Sequence, residues 1–217
     1  DIPDDTTLVI VPDAGSTQTA EHLKLMNDGM DLIILDHHEY IQNFDYGEYT
    51  PQIAIVNSQE PNYPNPALSG AGVAMKFVQA YCEKYGVAFP NKLYALVACG
   101  IIADVMDISY LENKQIITKG LKFLPEHAFL YQLIKDAHYN LENPTPTIKD
   151  IGWTIGPNIN AIIRLGTQDQ KYIVFKSLIN PMRLVPSTKK GEDEEVPIYE
   201  EAVRLCKNAK KRQTTAV

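Results

Sequence analysis

Apolar and polar positions divide the chain into recognisable pieces. "LVIV" at 8–11 is a short β-rich run that ends in the turn "PDAGS". "TAEHLKLMNDG" follows with helical spacing and a glycine stop. "LIIL" at 32–35 and "QIAIVN" at 52–57 are two more apolar runs of strand length. Strand, helix, strand at this spacing predicts an α/β fold with a mainly parallel sheet flanked by helices. "SGAGVAMKFVQAYCEKYG" begins with Ser and Gly and ends with Gly, a well-punctuated helix. "NKLYALVACGIIADVMDI" is too apolar for a surface helix and is expected in the core. Further helices are expected over 112–142. "DIGWTIGPNINAIIRLGT" is a segment punctuated by Gly and Asn, and "IYEEAVRLCKNAKKRQ" has amphipathic helical spacing. The charged, Pro-bounded stretch at 186–197 reads as a linker. It separates a domain over 1–185 from a helical stretch over 198–217.

Composition narrows the classes. The 217 residues can bury a useful core, and 45% of them are hydrophobic. No apolar run is long enough to span a membrane, and the N-terminus lacks the pattern of a secretory signal. Cys82, Cys99 and Cys206 form no CxxC pair and read as buried free thiols in a reducing, cytoplasmic setting. The formal net charge of −7 argues against a broad non-specific nucleic-acid binder. It leaves room for an enzyme that meets nucleic acid through bound metal ions, because carboxylates that hold metal lower the formal charge.

The candidate chemistry lies at strand ends. In a parallel sheet, ligands sit beyond the carboxyl ends of the strands. Asp13 follows the first strand, and Asp36, His37 and His38 follow the second. Asp104 is the single carboxylate in the apolar run from Leu93 to Met106. A lone buried carboxylate is costly unless paired or metal-bound. Carboxylates with imidazole and no thiolate suit Mn2+ or Mg2+ better than a structural Zn2+. Other polar residues leave two readings open. Ser69 and Gly70 start a helix that could offer N–H groups to a phosphate or could simply pack closely. Arg164 is either paired structurally or aimed at a substrate phosphate. His22 is read onto an exposed helix, with His127 and His138 in the helical middle region. Each of these three is expected to be an ordinary surface or interhelical imidazole. The acidic run Glu192–Glu195 is read as a solvated loop, and the basic stretch "KNAKKRQ" as a solvated helix end.

Taken in order, "VIVPDAGS", "LDHHEY" and "LVACGIIADVMDI" resemble the acidic motifs of the DHH phosphoesterase superfamily. "LSGAGVAMKF" and "IGWTIGPNINAIIRLG" resemble segments of its RecJ-type branch, the single-strand-specific nucleases. The match spans roughly residues 8 to 170. The resemblance implies that Asp13 bridges two Mn2+ (or Mg2+) ions and that His37 and Asp104 ligate one of them. It also implies that Asp36 orients the site from behind its ligands. His38 would face the substrate phosphate or assist proton transfer. Ser69, Gly70, Asn160 and Arg164 would contact nucleic acid. The implied activity is metal-dependent hydrolysis of single-stranded DNA, exonucleolytic from the 5′ end, in repair or recombination. The implied partners are single-stranded DNA and replication or repair proteins. Alternatives are a phosphodiesterase of short oligonucleotides or cyclic dinucleotides, a pyrophosphatase, or a catalytically deficient binding module.

The chain departs from the family pattern. The first acidic motif is not present, and the last helix would lead toward a second domain. The chain is therefore expected to be part of a longer polypeptide that alone holds one metal ion weakly. Asn158 stands where the family typically has Arg, and Ile163 replaces a usual Gly.

Overall fold

A computed structural model describes residues 2–39, 44–189 and 194–215. The backbone divides into two compact units, Asp1–Ile116 and Ile117–Val217.

In the first unit, β1 (Leu8–Pro12), β2 (Asp31–Asp36) and β3 (Ile53–Asn57) form a parallel sheet in the order β1-β2-β3. The register pairs Pro12 with Leu35 and Asp36 with Asn57. The carboxyl ends of all three strands therefore finish at one edge. β2 is central and its apolar run is buried on both faces, as expected of a strand in a covered parallel sheet. Leu32 packs with Val9, Ile53 and Ile55 against Met26 and Leu23 of α1 (Thr19–Asn27). By strand alternation, Ile33 and Leu35 point to the opposite face. α2 (Gly70–Tyr85) packs on β2 and β1, and α3 (Leu93–Ala103) packs on α2. α3 is the very apolar segment, and Ala95, Ala98 and Ile101 are fully buried.

α4 (Leu111–Phe123) carries the chain out of the first unit. Its first turn anchors the loop before α2. Glu112 pairs with Lys76 and accepts from Asn65, and Asn113 donates to the Ala67 carbonyl at 2.8 Å. These bonds satisfy a loop too polar to bury by itself.

The second unit is mostly helical. α5 (Ala128–Ala137) is followed by a continuous helical rod from residue 148 to 165, made of α6 (Ile148–Asp150), a π-helical segment (Ile151–Ile155) and α7 (Gly156–Leu165). α8 (Gln168–Ile179) starts with a capping box from Thr167 and Gln170. α9 (Ile198–Thr215) packs against α5, α7 and α8 and buries Ile198, Ala202, Leu205, Cys206 and Ala209. Burial pushes the Cys206 thiol up to about 12, which makes it inert. Cys82, Cys99 and Cys206 are all free. The stretch read as a linker borders a small antiparallel pair, β4 (Leu184–Pro186) and β5 (Glu195–Pro197). Of the acidic run Glu192–Glu195, the first two residues lie outside the described residues.

The rod begins at a second capping box. The Thr147 N–H and hydroxyl donate to Asp150 Oδ2, at 2.8 and 2.7 Å, and the Asp150 N–H donates back to Thr147. His138 Nε2 lies 2.6 Å from Asp150 Oδ1. Burial works to raise the Asp150 carboxyl, yet the bonds from Thr147 and His138 outweigh it and hold the group below its ordinary value. A depressed carboxylate stabilises the fold above its unfolded value near 4, and that contribution is lost as pH falls through the folded value. Asp150→Asn is accordingly expected to lower stability at pH 7 by about 2 kcal/mol. It should also flatten the acid limb of the stability curve between pH 5 and pH 2. Urea unfolding at a series of pH values checks both effects.

Candidate metal centre

The edge where the strands finish is organised by one buried carboxylate. Asp36 ends β2 and is 1% exposed. Its Oδ2 accepts from the Ser16 N–H at 3.0 Å. Its Oδ1 accepts from the His37 N–H at 2.8 Å and the His38 N–H at 3.2 Å, and lies 2.8 Å from His38 Nδ1. Burial opposes ionisation, but these bonds win and hold Asp36 well below the usual carboxylate range. The same contact with Asp36 raises the His38 imidazole above its ordinary value. With Nδ1 engaged, His38 presents its remaining nitrogen outward on a side chain that is 61% exposed.

Two small polar residues complete the support, and neither is flagged by the sequence pattern. Asn57 ends β3 in register with Asp36. Its side-chain N–H groups donate to Ser16 Oγ at 2.7 Å and to the His38 carbonyl at 2.9 Å. The loop after β1 and the loop after β2 are thereby tied together. A polar residue closing an apolar strand was the only available hint for Asn57. Ser16 acts through both its backbone N–H and its hydroxyl, and a lone Ser in a turn does not stand out in sequence.

Asp13 follows β1 directly, and its N–H extends the ladder to the Leu35 carbonyl at 2.8 Å. Its φ of 62° is left-handed, a conformation that Asp tolerates better than most residues. It meets the start of α2 closely: a Cβ at Gly70 would stand 2.0 Å from Asp13 Oδ1 and 2.7 Å from its Cα. The chain therefore packs closely at Gly70. Ser69 caps the helix by accepting from the Gly72 N–H at 3.3 Å, and it is buried. The carboxylate of Asp13 thus lies at a helix N-terminus, where the dipole favours negative charge. Asp104 caps the other end of α3. The chain closes that helix with Val105 N–H to Ile102 and Met106 N–H to Ile101, the hydrogen bonds of a Schellman motif. Val105 holds the left-handed position normally given to glycine, at φ 54°. This is strain beside a site residue.

These loops bring three predicted residues together. His37 Nε2 lies 3.2 Å from Asp13 Oδ1 and 3.2 Å from Asp104 Oδ2. The nitrogen is buried, yet it has no hydrogen-bond partner. A cation among these three atoms would satisfy all of them. Asp13, His37 and His38 also each offer a ligand atom, all within 4.8 Å of one another. The donor set is oxygen and imidazole, and both carboxylates are partly open to solvent. It fits a hard or borderline divalent cation with positions left for other ligands.

The remaining predicted residues lie in the second unit. Asn160 and Arg164 are exposed on α7. Asn158 is buried, and it donates to the Thr154 carbonyl at 2.8 Å. The expectation for His22 is corrected: it is 3% exposed. His22 shares the buried face of α1 with Met26, four residues on, and its Nδ1 lies 2.9 Å from the Tyr46 hydroxyl.

A parallel sheet whose strand ends gather Asp, Asp-His-His and a helix-end Asp defines a DHH-type domain. Residues 1–101 match the model of the DHH family, N-terminal domain. The chain is 36% identical over 218 residues to the putative SPbeta prophage-derived single-strand DNA-specific exonuclease YorK of Bacillus subtilis strain 168. That alignment covers 100% of this chain and 37% of the relative. It is 32% identical over 168 residues to the single-stranded-DNA-specific exonuclease RecJ of the same organism, covering 75% of this chain and 20% of the relative. Among solved structures, exonuclease RecJ bound to manganese shares the fold, with a TM-score of 0.71 and 24% identity. That superposition covers 96% of this chain and 47% of the other. The chain thus spans less than half the length of each of these proteins.

Gly70→Ala is expected to push Asp13 out of the site. It should weaken Mn2+ binding by tenfold or more while leaving the circular dichroism spectrum unchanged. Calorimetric Mn2+ titration of the two proteins checks this.

Proposed function

We propose that the protein hydrolyses phosphodiester bonds in single-stranded DNA with the help of divalent cations, Mn2+ in the first instance. The observation that carries the proposal is His37 Nε2, buried without a hydrogen-bond partner and 3.2 Å from both Asp13 and Asp104. The relatives named as single-strand DNA-specific exonucleases, and the neighbour named as manganese-bound, support the choice of substrate and ion. Asp13, His37 and Asp104 would hold the ion, and Asp13 would also serve a second one. A bound divalent ion lowers the pKa of water and neutralises charge on a phosphoryl group. The residues do the rest. Asp36 fixes the orientation of the His37–His38 turn, as second partners of metal-site histidines commonly do. His38, on a largely exposed side chain, would offer a nitrogen to a phosphate oxygen or to the leaving group. Asn160 and Arg164 hold phosphates of the strand. Digestion proceeds from the 5′ end, and the role is in DNA repair or recombination.

The test is Mn2+-dependent digestion of single-stranded DNA labelled separately at each end. Stepwise loss from the 5′ end is expected. Asp13→Ala and Asp104→Ala should each lower the rate by at least a hundredfold, with circular dichroism unchanged. Loss from the 3′ end would overturn the polarity. Cleavage of dinucleotides but not of long strands would replace the substrate class with short oligonucleotides. Full activity of Asp13→Ala would remove the metal site.

A further inference from the structure

The helical rod from residue 148 to 165 has two sides of opposite character. Ile151, Ile155, Asn158, Ala161 and Ile162 are buried. Lys149, Trp153, Asn160 and Arg164 are exposed. Their spacings of four, seven and four residues bring them to one side of the rod. Trp153, the only tryptophan of the chain, is 80% exposed. It projects from the π-helical segment Ile151–Ile155. Such segments are rare and recur at functional sites.

Leaving so large an apolar surface in water is unfavourable, and indoles are enriched where another surface covers them. The flanks restrict what can cover this one. Two cations and an amide share its side of the rod, and no carboxylate occurs from Ile151 to Gln168, although the chain as a whole carries −7. Among the described residues Lys149 and Arg164 form no ion pair. Ile148, Ile163 and Leu165 of the rod are exposed as well, but an apolar peptide helix would leave Lys149 and Arg164 without counter-charges, and a basic partner would meet repulsion. An aromatic face between cations is the arrangement that holds unpaired bases, with the ring stacked on a base and the cations against neighbouring phosphates. A duplex offers no free base face.

We propose that Trp153 is a base-stacking platform for single-stranded nucleic acid, with Lys149 engaging a phosphate close to the stacked base and Arg164 one farther along the strand. The proposal deepens the reading of the protein as one that acts on single strands, and it rests on that reading. It adds Trp153 and Lys149, which the family motifs do not assign, and gives the π-helical segment a purpose.

The single tryptophan makes the test direct. Oligo(dT) is titrated into the Asp13→Ala protein in the presence of EDTA, so that no strand is cut. Binding is followed by intrinsic fluorescence and, independently, by the anisotropy of a labelled oligo(dT). Saturable quenching is expected at the concentrations where anisotropy rises. Trp153→Phe, which keeps a ring, should bind within threefold of the parent. Trp153→Ala should bind about tenfold more weakly. Lys149→Met with Arg164→Met should reduce the salt dependence of binding. Circular dichroism controls for folding. Anisotropic binding without quenching, or Trp153→Ala binding like the parent, would overturn the platform and leave the single-strand reading intact. Equal quenching by duplex would overturn it too. Failure of oligo(dT) to bind in either readout would take down the single-strand reading with it. A fluorescence change driven by protein concentration alone would assign this face to a second copy of the chain and refute the proposal.

Discussion

One buried negative charge organises the functional edge of the sheet. A carboxylate that is 1% exposed costs several kcal/mol unless its lone pairs are met. Asp36 meets them with backbone N–H groups from two loops and with the ring of His38. The loop after β1 must therefore curl so that Ser16 reaches it, and the turn after β2 must close on itself. Asn57 then locks the two loops to each other. Asp36 need not touch a reacting group to matter. It sets the places from which Asp13, His37 and His38 operate.

The metal centre follows from that frame. Asp13 arrives in a left-handed turn against a helix start that admits only glycine at position 70. Asp104 arrives from the end of the most apolar helix, with a strained valine behind it. Between them lies His37 Nε2, buried and without a hydrogen-bond partner, so the three side chains offer a donor set that a cation would complete. Backbone strain beside such a set is the expected character of a binding site, where local unfavourable conformations are offset by the surrounding core.

Much of this is legible in the chain itself. Runs such as "LVIV" and "LIIL" read as buried parallel strands because both faces are covered, and the acids at their ends then fall on one edge. Asp104 is legible because an acid in an apolar run needs a reason. The parts that escape reading have physical causes. Ser16 works through a backbone N–H and a hydroxyl, and serine in a turn is too common to single out. His22 sits at a core position of α1, but a histidine there breaks the apolar periodicity that would mark it as buried. Three-residue strands such as β4 and β5 are too short to show alternation. Trp153 lies in an apolar stretch, where a large apolar side chain reads as core, yet it is 80% exposed.

The central claim is that Asp13, His37 and Asp104 hold a divalent cation. Diffraction from crystals grown with Mn2+, with anomalous differences measured at the manganese edge, tests it most directly. The account predicts a peak within bonding distance of His37 Nε2 and in contact with both carboxylates. A well-ordered His37 without such a peak at saturating Mn2+, or a peak held elsewhere on the chain, would contradict it.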